Sequence, residues 1–235
     1  MSLPDEMGAD AIARQLNAVR ARIAAACTRA GRAPDAARLI AVSKGHPETA
    51  LAAAYGSGQR SFGESYVQEL VRKSAELGAL PEIELRFIGR LQRNKVKDLL
   101  RVPQLHAVDC VDSLALAQTL AERAQAAGRT LEVLLQVNVD REPQKAGVLP
   151  DALPALVDAV RGLRGLELRG LMVIPRAVDD PEQARPAFAA LRALAHQHGL
   201  SELSMGMSDD LEIAVEEGAT MVRVGTAVFG PRPAK

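Results

Sequence analysis

Tryptophan is missing from this chain of 235 residues, and aromatics of any kind amount to 3%, four Phe and two Tyr. Proteins that grip single-stranded nucleic acid stack its bases on aromatic rings, so that class is excluded. A charge excess is missing as well, since 29 Lys+Arg balance 29 Asp+Glu. Without a global positive field, neither nucleic acid nor an anionic membrane surface is expected as a partner. Cysteine is scarce: Cys27 and Cys110 stand far apart and form no CxxC pair. They can build neither a zinc knuckle nor a disulfide framework, and no metal is expected. No stretch reaches the roughly 18 uninterrupted apolar residues of a membrane span. The opening MSLPDEMGADAIARQ carries acidic residues and no apolar h-region, so it does not read as a signal peptide and the cytoplasm is the expected compartment. Ser/Gly/Pro linkers, charge blocks and internal repeats are lacking too.

What the chain does have is 48% hydrophobic residues, which must form a largely aliphatic core. Short β-branched runs alternate with Ala/Leu-rich stretches. Strands are expected at 38–43, 60–64, 85–89, 105–110, 131–139, 166–174, 202–206 and 221–225. Helices are expected near 47–57, 66–77, 94–101, 113–127, 150–161, 180–198 and 209–217, with an amphipathic helix near 6–30 ahead of the first strand. Asp112–Ser113 and Pro150–Asp151 read as helix starts, and Asp209 with Glu212 as a capping box. Several strands are continuous apolar runs, as expected when both sheet faces are covered. Eight such units predict an α/β fold, a single-domain (β/α)8 TIM-type barrel with an extra N-terminal helix, rather than an open doubly wound sheet. One domain is expected over 1–235, with the barrel proper at about 38–230.

In such a barrel, chemistry gathers where strands end. Lys44 follows LIAVS directly, and a lysine closing an apolar run is partly desolvated, which favours the free amine a Schiff base requires. A lysine snorkelling from the rim into solvent would leave the same pattern. Strand seven runs into MGMSDD and strand eight into GTAVFG. Small-residue turns in those two loops are the usual phosphate cradle of the fold, with Met207 and Ser208 on one and Gly225 and Thr226 on the other. Asp209 and Asp210 would repel a phosphate unless they point away. Arg223 lies inside the apolar run of strand eight and needs an anion or a specific acceptor, an ion pair with Glu64 being one solution. Lys145, in the loop after strand five, could bring a second amine to the mouth. A strand-end lysine, a phosphate cradle and a buried arginine suit pyridoxal 5′-phosphate, and they equally suit an aldolase-type Schiff base to a sugar phosphate.

Other motifs carry less. His196 and His198 are two apart near a helix end and share no face, which makes a poor metal pair. GSGQRS at 56–61 lacks the third glycine of a dinucleotide fingerprint. The basic run GRLQRNKVK at 89–97 reads as a solvated loop and helix start.

The segments AVSKGHP, FGESYVQEL, FIGRLQRNKVK, LQVNVDREPQKAGV, GLMVIP and LSMGMSDDLEIAVEEGATMVRVGTAVFG closely resemble the pyridoxal phosphate homeostasis protein family, which is related to the barrel domain of alanine racemase. The resemblance covers about residues 10–230. It implies a barrel holding pyridoxal phosphate on Lys44 as a Schiff base. It also implies phosphate contacts at Ser208, Gly225 and Thr226, Arg223 facing the pyridine nitrogen, and Lys145 as a second lysine that helps pass the cofactor along. Members look like carriers or regulators of vitamin B6 rather than enzymes, with apo-enzymes as recipients. The chain departs from the family pattern at Gly45, at His46 where a second lysine is usual, at Ser65 in place of Asn, and at Arg90 in place of His.

Two function classes follow, a cofactor carrier and an amino-acid racemase. Racemisation needs an acid/base on each face of a planar carbanion. In the related racemases a Tyr from another domain supplies the second one. Here only Tyr55 and Tyr66 exist, and the carrier is favoured. A monomer is expected.

Overall fold

The computed structural model describes residues 8–78 and 80–232. Eight parallel strands close on themselves in sequence order. They are β1 (Arg38–Val42), β2 (Ser61–Glu64), β3 (Glu84–Phe87), β4 (Leu105–Val111), β5 (Leu131–Gln136), β6 (Leu166–Met172), β7 (Glu202–Ser204) and β8 (Met221–Val224). Closure is made by β1 against β8, with Ile40 opposite Arg223 and Ala41 opposite Val224. The barrel expected from the β/α alternation is therefore present, and the open sheet is not.

Helices cover the barrel: α1 (Ala9–Arg29), α2 (Glu48–Gly56), α3 (Val67–Leu77), α4 (Val96–Leu99), α5 (Leu114–Ala126), α6 (Leu153–Arg161), α7 (Arg185–Gln197), α8 (Leu211–Glu216) and α9 (Thr226–Phe229). In β1, β2 and β8 nearly every residue is buried, which explains their unbroken apolar runs. On α1, Ile12, Leu16, Val19 and Ile23 recur every three or four residues and are buried. The first residues of the expected 6–30 helix lie outside the described residues. Cys27 and Cys110 are buried free thiols. No described helix is long and apolar enough to cross a membrane.

The differences from expectation fall at element ends. Strand five stops at Gln136 rather than 139, and Val137 continues only as an isolated bridge to Val148. The expected helices at 94–101, 150–161 and 180–198 each begin as a 3₁₀ turn, two of them opened by Pro150 and Pro181, whose fixed φ suits a first helical position. The capping box is corrected: α8 is capped at Asp210, not Asp209, and Glu212 pairs with Arg22 instead of reaching back to the cap. GTAVFG, read as a turn alone, coils into α9 directly after β8.

Candidate functional site

The strand ends open into a cavity of about 710 Å³. Lys44, Ser65, Lys145, Met207, Ser208, Arg223, Gly225 and Thr226 all line it, so every cofactor-binding candidate named from the sequence reaches one space. Arg22, His46, Arg90, Gln136 and Arg232 complete the wall.

His46 and Arg90 stand out in the sequence only as departures from the family pattern, and Gln136 lies in the quoted segment LQVNVDREPQKAGV, while Arg22 and Arg232 belong to no motif at all. Only the fold could bring those two here.

Lys44 leaves the end of β1 half-buried at the cavity wall. Burial holds its amine below the usual lysine range, and the charges of Arg232 and Arg223 push the same way, with Glu64 opposing them. Arg223 is buried, with Nη1 donating to Ser204 Oγ at 2.9 Å and Nη2 to the Val173 carbonyl at 2.9 Å. These neutral acceptors answer the arginine's need for partners, and the ion pair with Glu64 anticipated as one solution does not form. Glu64 is taken instead by Lys73, with Nζ to Oε1 at 2.5 Å. Burial works against the charge on Arg223 too, while Asp109 and Asp210 favour it.

The two small-residue loops meet as expected. The Ala227 N–H in α9 points to Ser208 Oγ at 3.4 Å. Gly206 adopts φ +91°, and a Cβ there would lie 2.5 Å from the Ala214 Cβ, so the loop after β7 closes only around glycine. Asp210 turns back on its own loop, accepting the Met207 N–H at 2.5 Å. The second carboxylate, Asp209, remains on the cavity wall. The added helix α1 reaches this place as well: Arg22 Nη2 donates to the Ser208 carbonyl at 3.0 Å while its guanidinium grips Glu212.

Lys145, also on the wall, donates from Nζ to the Pro175 carbonyl at 2.9 Å and pairs with Glu142. Met207 and Ile174 are exposed hydrophobics on the wall. His46 is buried, its ring centroid 5.4 Å from that of Phe229, and burial with the nearby Lys73 charge holds its imidazole below the usual range. Neither tyrosine lines the cavity among the described residues. Tyr55 donates to the Pro81 carbonyl at 2.8 Å, and Tyr66 is exposed. His196 lies in the last turn of α7 and His198 caps it, and no metal-binding cluster occurs among the described residues.

A closed parallel barrel whose strand ends present a half-buried lysine, a buried arginine and a hydroxyl-bearing double loop is a (β/α)8 barrel with a lysine at the mouth of its cavity. The family model described as alanine racemase, N-terminal domain, matches residues 15–233. The chain is 47% identical to the pyridoxal phosphate homeostasis protein of Pseudomonas aeruginosa, over 94% of this chain and 96% of that one. It is 42% identical to the protein of the same name from Escherichia coli K12, over 94% and 97%. The solved structure of PipY from Synechococcus elongatus PCC7942 with PLP bound superposes with a TM-score of 0.81 at 39% identity, covering 93% of this chain and 100% of that one. This chain belongs to the pyridoxal phosphate homeostasis protein family.

Proposed function

We propose that this chain binds pyridoxal 5′-phosphate and carries or regulates it inside the cell, without catalytic turnover of its own. The observation that carries the reading is the convergence of Lys44, Arg223, Ser208 and Thr226 on one cavity. The donor set fits the group. When bound, pyridoxal phosphate supplies an aldehyde that an amine can hold and a phosphate that backbone and hydroxyl donors can cradle. Lys44 is the amine held ready by burial. Ser208 and Thr226 offer hydroxyls, and the first turn of α9 offers N–H groups to an anion. Met207 packs beside this cradle. Arg223, fixed by Ser204 and Val173, would stand against the ring nitrogen. It cannot release a proton, so it would leave that nitrogen unprotonated. Ser65 would be the neighbouring polar contact from the loop after β2, and Lys145 would be the second lysine, an amine that helps hand the cofactor to PLP-requiring apo-enzymes.

The relatives' shared name and the bound PLP of PipY support the cofactor. The alternative, an amino-acid racemase, needs a second acid/base, and the positions of Tyr55 and Tyr66 away from the cavity count against it. The unit at work is one barrel domain, monomeric and cytoplasmic.

Titration with pyridoxal phosphate is expected to produce the visible absorption band of a lysine-held cofactor, and Lys44→Ala is expected to abolish it. A band retained in the variant overturns the lysine assignment. Incubation with L-alanine in deuterated water is expected to leave the Cα proton in place. Steady deuteration, or accumulation of D-alanine, overturns the carrier reading.

A further inference from the structure

A lysine on the apolar face of α3 is the most unusual buried group outside the cavity wall. Lys73 is fully buried, beside Leu70 and Ser74 on the same face. An ammonium taken from water is costly unless its protons find acceptors. Lys73 Nζ meets the Ser43 carbonyl at 2.6 Å, Glu64 Oε1 at 2.5 Å and Glu69 Oε1 at 2.9 Å, with Ser43 Oγ farther off at 3.4 Å. The same two carboxylates return to the chain next to Lys44. Ser43 Oγ donates to Glu64 Oε1 at 2.6 Å, and the Gly45 N–H donates to Glu69 Oε1 at 2.7 Å.

Both peptide groups that flank the Lys44 α-carbon are therefore held by one cluster. The Ser43 carbonyl belongs to the peptide before it, and the Gly45 N–H to the peptide after it. Together these bonds restrain φ and ψ of Lys44, and Gly45, at φ +78°, permits the turn that follows. We propose that Lys73, acting through Glu64 and Glu69, is a positioning residue for Lys44, setting the direction in which its amine enters the cavity. The proposal rests on the reading of Lys44 as the cofactor lysine.

An apolar residue at position 73 would fill the same space, and replacing a buried ion cluster with packed hydrophobics is often neutral or stabilising. A cluster whose bonds end on the two peptides around Lys44 has a use that stability does not supply. The charge of Glu64 also acts on the Lys44 amine, in opposition to burial and the two arginines.

Lys73→Met would strand two carboxylates, so Glu69 is the better probe, being partly exposed at 15%. Glu69→Ala removes the acceptor of the Gly45 N–H, whereas Glu69→Gln keeps an amide oxygen there. The test compares the three chains by mass spectrometry, mapping Lys44 after pyridoxal phosphate is added and trapped with borohydride. The cofactor-free chains are mapped in parallel after brief treatment with a small acylating reagent. Glu69→Ala is expected to melt near the wild type yet label at Lys44 about tenfold more slowly with both reagents, and Glu69→Gln to recover most of that rate. Equal labelling of Glu69→Ala and wild type overturns the proposal. So does a Glu69→Ala chain that fails to fold, since the cluster then serves the fold itself. Wild-type chain that is not trapped at Lys44 at all sinks the cofactor reading instead.

Discussion

Ser208 and Ala227 tie the loop after β7 to the first turn of α9, the Ala227 N–H facing Ser208 Oγ at 3.4 Å. At that length the bond is weak, so both groups are available to a stronger acceptor without a large loss. An anion placed between them gains a hydroxyl donor and an N–H at once.

This pair makes the phosphate, rather than the ring, the expected casualty of local substitution. Ser208→Ala and Thr226→Val should each weaken pyridoxal phosphate binding by about 1.5–3 kcal/mol, the usual worth of a hydrogen bond to a charged group. Pyridoxal, which lacks the phosphate, should bind each variant as it binds the wild type. Equilibrium titration with both ligands checks this, and a parallel loss for both would place the hydroxyls elsewhere than on the phosphate.

Lys44 is held below the free-lysine value of about 10.4 by burial first, then by Arg232 and Arg223, with Glu64 opposing. The reactive fraction is the unprotonated amine, so capture of pyridoxal phosphate should rise with pH and reach half its maximum below that value. Arg232→Ala removes a positive neighbour and should move the midpoint up. Glu64→Gln removes a negative one and should move it further down. Stopped-flow capture rates across pH check both signs.

His46 has its imidazole held below the usual value of about 6.5 by burial and by the Lys73 charge. A group depressed in the folded chain contributes stability that is present above its unfolded pKa and lost as pH falls below it, because the unfolded chain then binds the proton more readily. Chemical denaturation should show stability dropping below about pH 6.5. Replacing His46 with Leu should make that part of the drop shallower.

Gly89 and Ser65 bring the loops after β3 and β2 into direct contact. A Cβ added at Gly89 would lie 2.1 Å from the Ser65 carbonyl oxygen and 2.6 Å from its Cα. Backbone cannot rotate out of the way as a side chain can. Gly89→Ala should cost about 1–3 kcal/mol in denaturant unfolding and weaken cofactor binding as well, since both residues line the cavity.

Much of this was legible in the chain. The strands declared themselves as apolar runs because a barrel strand is covered on both faces, and their order in the sequence is their order around the barrel. Lys44, Ser208, Gly225 and Thr226 could be found because each stands at a strand end or just past it, where this fold opens its cavity. Lys73 left a fainter signal, a charged residue three positions after Leu70 on the buried face of α3. Arg22 and Arg232 left none, because nothing in local pattern says that the first helix and the last described residue line the same cavity.

Local physics, the periodicity of apolar residues and the freedom of glycine, was enough to define the eight units and the ends where chemistry gathers. Partner choice was not local. Arg223 took Ser204 and Val173 rather than Glu64, and Glu64 took Lys73, because a buried charge settles on whichever acceptors closure of the barrel brings within hydrogen-bond reach. Those distances depend on strands and helices far apart in the chain, and they exist only once the barrel has closed.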